Sequence, residues 1–282
     1  MPLLSIITLT LAATAAICAS ASPEPIGRDS FYCGFQTNDK HRVISEQFAK
    51  EEANHRKDGL VARQDIKVNV YVHILASAKD KSLGFLNDNT IQAQLGVMNQ
   101  DYAPTGISFT LVGVDRTVHA NWSMDQDGDN MRQKLRKGDY RDLNLYFIPG
   151  IRIFGYCTLP QMVRPGTQEF FSDGCTIRSD TVPGGGLKDY NLGKTAVHEV
   201  GHWFGLFHTF EGGCSDPGDY IGDTPAQGAA STGCPVGKDS CQWLPGLDPI
   251  HNYMDYSIDS CYQNFTPEQI QRMHSFWNKF RA

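Results

Sequence analysis

The sequence has no basic excess. Its 25 lysines and arginines stand against 31 aspartates and glutamates, a formal net charge of -6, and that balance leaves no electrostatic footprint for nucleic acid or an anionic membrane. Internal repeats and low-complexity tracts are missing as well, which excludes a stacked-repeat architecture and a disordered scaffold. Long apolar runs are scarce. The one candidate, Leu3 to Cys18 in "MPLLSIITLTLAATAAICASASPEP", is shorter than the roughly 20 residues that a membrane-spanning helix needs. It lacks a lysine or arginine ahead of its apolar core. It nevertheless ends in small residues and then Pro23 and Pro25, the pattern of a secretory signal peptide (residues 1–21) cleaved after Ala21. Histidine is sparse too: there are nine in 282 residues.

What is present is ordinary globular composition, 40% hydrophobic and 20% charged, in a chain long enough for a sizeable core. Eight cysteines in a chain addressed for secretion predict disulfides. Loss of Cys18 with the signal peptide leaves an odd number: Cys33 near the start, and Cys157, Cys175, Cys214, Cys234, Cys241 and Cys261 in the body. The last four permit about three connectivities, and nothing in their order selects one. The sequon "NWS" makes Asn121 a candidate glycan site. "NFT" at Asn264 is the weaker one, because Pro267 follows the threonine.

Residues 22–63 are polar and charged with little periodicity, and they read as a prosegment or N-terminal extension, cut near Arg56, Lys57 or Arg63. From Ile66 the pattern changes. "IKVNVYVHI" puts Ile66, Val68, Val70, Val72 and Ile74 on one face of a half-buried strand. Ile91, Leu95, Met98 and Tyr102 then recur at helical spacing. "ISFTLVGV" and "LNLYFI" predict strands, "DNMRQKLRKG" a short helix closed by Gly138, and "FGYCTL" and "DGCTIRSDTV" two further strands joined by a long loop. "LGKTAVHEVGHWFG" reads as a helix capped by Asn191. In "TPEQIQRMHSFWNKF" a capping threonine and a proline at the first helical position precede Ile270, Met273, Trp277 and Phe280 on one face. Residues 64–282 are thus expected to form one α+β domain with a helix-and-loop lower part.

The chemistry concentrates in "TAVHEVGHWFGLFHTF". On a helix His198 and His202 lie one turn apart on the same face, as two ligands of one metal must. Glu199 cannot share that line, but it can reach a water at the metal's open position. Gly205 tolerates the left-handed conformation of a sharp helix exit, and that exit returns His208 toward the metal. Three neutral imidazoles favour zinc. For a chain of this composition, H-E-x-x-H-x-x-G-x-x-H arises by chance on the order of a few times in 10⁵. Three unrelated surface histidines are therefore a poor account of it. The remaining histidines have no such spacing.

Further on, "HNYMDYS" carries Met254. The long histidine motif followed by this methionine resembles the metzincin metalloendopeptidases, and "HEVGHWFGLFHTF", "DTP" and "NYMDY" together resemble their pappalysin family. The resemblance spans about residues 64–282 and rests mainly on the second half. It implies a metzincin catalytic domain, with a twisted mixed sheet and two helices above a cleft and a smaller lower subdomain. It also implies His198, His202 and His208 as zinc ligands, Glu199 as catalytic base, Met254 as the floor beneath the metal, and Tyr256 as a tyrosine that swings toward the reacting carbonyl. The expected protein is a secreted, extracellular, monomeric zinc endopeptidase that acts on protein or peptide substrates. The alternatives are an inactive zinc-containing binding module, disfavoured by Glu199 and an open ligand position, and a metallohydrolase with a distal glutamate ligand, disfavoured by the G-x-x-H extension.

Four further expectations follow. Some relatives bind calcium near "CSDPGDYIGDTP", whose Asp216, Asp219, Asp223 and Thr224 offer hard oxygen donors; a solvated acidic loop is the alternative. The resemblance favours interleaved disulfides, Cys214 with Cys241 and Cys234 with Cys261, and Cys157 would then pair with Cys175. Asp259 reads as a solvated loop aspartate, the alternative being a primed-side pocket for basic residues as in some relatives. Cys33, followed by Gly34 in "FYCGFQTND", resembles the prosegment cysteine that caps the metal of some metzincin zymogens; a Cys18–Cys33 disulfide and an inert thiol are the alternatives.

Overall fold

A computed structural model describes residues 32–57 and 64–282. The signal peptide expected at 1–21, Cys18 and Arg63 lie outside these residues. The core is a five-stranded sheet in the order β2-β1-β3-β5-β4. Strands β1 (Ile66–Ala76), β2 (Ile107–Val118), β3 (Leu143–Ile148) and β5 (Cys175–Arg178) are parallel, and β4 (Gly155–Cys157) runs antiparallel along the edge. The first half of β1 alternates buried and exposed as its sequence predicts. From Val72 to Ala76 both of its faces are buried, because β1 lies between two parallel neighbours with structure on each side. Cys157 pairs opposite Cys175 across β4 and β5, and a disulfide joins them.

Helix α2 (Asp88–Tyr102) starts at Asn87, whose Oδ1 accepts from Thr90 N at 2.9 Å, and it buries Ile91, Leu95, Met98 and Tyr102 against the sheet. Tyr102 Oη donates to the Val197 carbonyl at 2.9 Å, tying this helix to the histidine-bearing one. Helix α3 (Gly128–Leu135) ends three residues before Gly138, so its predicted cap is not its terminus. A short helix α4 (Gln168–Ser172) interrupts the loop between β4 and β5. Helix α5 (Lys194–Trp203) crosses beneath the sheet, and α6 (Pro267–Phe280) closes the lower part. Thr266 and Gln269 form a capping box at the start of α6. Between α5 and α6 there is little regular structure, and the disulfides Cys214–Cys241 and Cys234–Cys261 stitch that region in the interleaved arrangement.

The N-terminal segment departs most from its reading. Residues expected to lack periodicity form a 19-residue helix, α1 (Asp39–Lys57). Its buried residues His41, Ser45, Phe48 and Glu52 recur at helical spacing. Only one of them is apolar, so hydrophobic periodicity carries no signal for this helix.

Candidate active site

Every residue of α5 from Thr195 to Trp203 is buried. Its start is not capped by Asn191, whose Nδ2 donates to the Gly185 carbonyl instead. Gly193 (φ 86°) occupies the cap position, and Asp259 Oδ2 accepts from Leu192 N at 2.7 Å and Lys194 N at 3.4 Å. A carboxylate suits a helix N-terminus, where unpaired N–H groups point outward. Asp259 is therefore not a solvated loop residue: it is 1% exposed, and burial pushes its carboxyl up to about 6.

Gly205 ends the helix at φ 96°, and a Cβ there would sit 2.3 Å from the Phe276 ring. Glycine is required on both counts. The turn it makes returns His208 to the helix. His202 Nε2 lies 3.1 Å from both His198 Nε2 and His208 Nε2. His198 Nδ1 faces the Tyr253 carbonyl at 2.7 Å and His202 Nδ1 the Leu206 carbonyl at 2.8 Å. A carbonyl can only accept, so each Nδ1 carries the proton and each Nε2 presents a bare lone pair. Burial draws all three imidazoles below their ordinary range, His198 to about 3, so they are neutral. Lone pairs packed together in a dry interior repel unless a cation lies between them. Nitrogens bound tetrahedrally at about 2.0–2.1 Å would be about 3.3 Å apart, close to the observed spacing. The residues fit a zinc ion.

Glu199 is wholly buried beside this cluster, and burial pushes its carboxyl up to about 8. Its Oε1 has no hydrogen-bond partner among the described residues. A Cβ on Gly155 would lie 2.7–2.8 Å from Glu199 Cγ, Cδ and Oε1, so β4 leaves room for the carboxylate only as glycine. Met254 is fully buried beneath the helix, and a Cβ on Gly201 would meet its Sδ at 2.4 Å. The turn that carries Met254 is pinned by Asp255, whose Oδ1 accepts from Gln227 Nε2 and Ser231 N. Tyr256 packs edge-on against His208, with ring centroids 4.9 Å apart.

Residues Tyr32–Phe35 lie in the same place. Phe154 N donates to the Tyr32 carbonyl and Gly34 N to the Gly155 carbonyl, both at 2.8 Å, so the segment adds to β4 in parallel. Cys33 is buried, with Sγ 3.4 Å from Glu199 Oε2 and in one group with the three histidine nitrogens, all within 4.8 Å of one another. Burial and then the neighbouring Glu199 raise its thiol pKa. Cys33 N donates to Tyr256 Oη at 3.1 Å. Phe35 stacks on His202 at 3.9 Å, with 11° between the ring planes.

The acidic loop is not drawn together in this way. Asp219 is buried, accepts from Thr224 Oγ1 and Ile221 N, and has its carboxyl pushed up to about 7 by burial. Asp223 Oδ2 accepts from Glu268 N at the start of α6. Among the described residues, Asp216, Asp219 and Asp223 form no group with the spacing of a metal site. Cys234, His251 and Cys261 are close together, but both sulfurs belong to a disulfide. Asn121 is exposed and precedes the turn Trp122–Met124.

Sequence reasoning missed Gly155, Gly201 and Phe35, and it misplaced Asp259. Neither glycine contact, Gly155 with Glu199 or Gly201 with Met254, carries a sequence signal, since nothing in a sequence reports a cross-element approach of backbone to side chain.

Residues 186–278 match the peptidase M43 family model, described as pregnancy-associated plasma protein-A. An extracellular metalloprotease of Colletotrichum graminicola is 52% identical over 98% of this chain and 99% of its own. One from Pyricularia oryzae is 53% identical over 94% of this chain and 95% of its own. Among solved structures, mirolysin in complex with compound 9 is similar, with a TM-score of 0.65 at 27% identity over 78% of this chain and 94% of that one. Mature mirolysin of Tannerella forsythia in complex with a cleaved peptide gives a TM-score of 0.62 at 28% identity, over 77% and 93% of the two chains. The chain belongs to the peptidase M43 (pappalysin) family and is a metalloprotease with a metzincin fold.

Proposed function

We propose that His198, His202 and His208 hold a single zinc ion and that Glu199 carries the proton in hydrolysis of internal peptide bonds. The carrying observation is the convergence of three buried Nε2 atoms, two with their protons committed elsewhere, beside a carboxylate oxygen without a partner. Zinc held there would supply Lewis acidity, acidifying a water and polarising the scissile carbonyl. Glu199 receives the proton of the attacking water and delivers it to the leaving amine. Tyr256 Oη donates to the oxygen that gains charge as the carbonyl is attacked. Gly155 offers its carbonyl to the substrate main chain, as it does to Gly34. Leu187, Tyr190 and Ile258 line an apolar wall with Phe154 beside the metal site. Glu199→Ala should keep its zinc and lose roughly 10²–10⁴-fold in peptide cleavage. Comparable turnover by a metal-loaded variant would remove the mechanism. A wild type that holds zinc yet cleaves nothing would favour the binding module.

The same reading makes Tyr32–Phe35 a latch: Cys33 Sγ takes the place where water and substrate must enter, and the chain as described is a zymogen. Cys33→Ser in an uncut chain should then be active from the start. Secretion into an extracellular, oxidising space is supported by the three disulfides and by likeness to extracellular metalloproteases. A glycan at Asn121 would be removed from the secreted protein by glycosidase with a matching loss of mass. Calcium has narrower support, in the buried and unpartnered Asp223 Oδ1 alone. Millimolar calcium should raise the melting temperature if a site forms there.

A further inference from the structure

The latch is only four residues long, yet the segment behind it makes a second set of buried contacts, on α6. Arg272 on α6 is 2% exposed, so its guanidinium is buried. Its Nε and Nη2 make three hydrogen bonds to the Glu52 carboxylate at 3.0–3.2 Å, and Nη2 also donates to the Tyr220 carbonyl at 2.8 Å. Four residues before Glu52, Phe48 is buried edge-on against Phe276, with ring centroids 5.0 Å apart. Phe276 is the ring that fills the space above Gly205, at the turn leading to His208. A lighter contact lies nearer the latch, where Arg42 Nη2 and Thr37 Oγ1 both donate to Glu211.

We propose that the face of α6 bearing Arg272 and Phe276 is a second docking site for the N-terminal segment, and that its occupation by α1 is what keeps Cys33 in the cleft. The inference rests on the reading of Cys33 as the latch. Three considerations support it. Withdrawing Glu52 strands a buried guanidinium, and breaking a buried pair from one side is strongly unfavourable. Withdrawing Phe48 also uncovers apolar surface on α6. Only Gln36, Thr37 and Asn38 separate Phe35 from the helix, a span of roughly 10 Å at full extension. A docked α1 therefore holds the thiol at the high effective concentration of a short tether, and an undocked one does not. The docking site recognises an acidic side chain and an aromatic one at i and i−4 on a helix.

The zinc-loaded full chain provides the test. Alkylation of Cys33 by iodoacetamide reports how often the latch opens, with Cys33→Ser as the background, and cleavage of a quenched peptide is followed in parallel. The Phe48→Ala/Glu52→Gln double variant should be alkylated at least tenfold faster than the parent and gain activity in the uncut chain. Lys50→Ala, on the exposed face of α1, should match the parent. If the double variant does not fold, the near-isosteric Glu52→Gln alone is read in the same way, with an expected rise of about threefold. A folded clamp variant labelled at the parent's rate overturns the docking site, whatever Cys33 does. If instead Cys33→Ser stays latent while the clamp variant is active, the thiol reading alone fails, and α1 is the whole lock.

Discussion

Glycines decide much at the residue scale. Gly155 gives up its side chain so that Glu199 can stand where a Cβ would be. Gly155→Ala should leave the three histidines loaded with metal but displace the carboxylate, lowering kcat by at least tenfold. Adding Glu199→Asp, one methylene shorter, should relieve the clash and recover part of that loss, which peptide-cleavage kinetics would read directly. Gly201 plays the same part toward Met254: Gly201→Ala drives a methyl into Sδ, an overpacking that costs about 1–3 kcal/mol. Its melting temperature should fall, and it should fall less in a Met254→Ala background.

The consequence of Asp259 belongs to the element scale, because it governs the start of α5. Its folded carboxyl titrates at about 6 against an ordinary 3.8, so the folded state holds the proton more tightly than the unfolded one. Asp259 therefore favours the fold most at low pH, and its contribution falls as pH rises from about 4 through 6. Asp259→Asn keeps an acceptor for Leu192 N without the titration. Relative to wild type it should gain stability between pH 4 and pH 7, by up to about 3 kcal/mol, as denaturant melts at the two pH values would measure. This dependence was not legible in the sequence, where Asp259 sits among loop residues with no sign of a helix end above it. Elements built on apolar periodicity were legible: β1, α2 and α6 fall where Ile66, Ile91 and Ile270 and their repeats put them. The histidine site was legible too, because a single helix and one glycine turn supply all three imidazoles. Helix α1 was not, because three of its four buried residues, His41, Ser45 and Glu52, are polar, and the partner of Glu52 is Arg272, 220 residues further along the chain.

For the molecule as a whole, the region between α5 and α6 has few backbone ladders, and its order comes from cross-links. Each disulfide there closes a loop of 27 residues, which on the chain-entropy argument stabilises the fold by about 3.5 kcal/mol. Replacing Cys234 and Cys261 by serine should lower the unfolding free energy by about that amount in a denaturant melt. Chelation should act on the molecule in two ways. Proteolysis should stop and return when zinc is restored, and the melting temperature should fall, because an ion bound a thousandfold above its Kd contributes about 4 kcal/mol to the folded state.

The four residues Tyr32–Cys33–Gly34–Phe35 also have a meaning in inhibitor chemistry. They already hold two main-chain hydrogen bonds to the rim strand, an aromatic ring flat on His202, and a sulfur among the imidazoles. A medicinal chemist would treat that as a lead with its pose known: a short capped peptide, with the thiol exchanged for a hydroxamate or the phenyl ring enlarged over the histidine. Such a compound would compete with substrate for Gly155, and its potency could be improved one contact at a time.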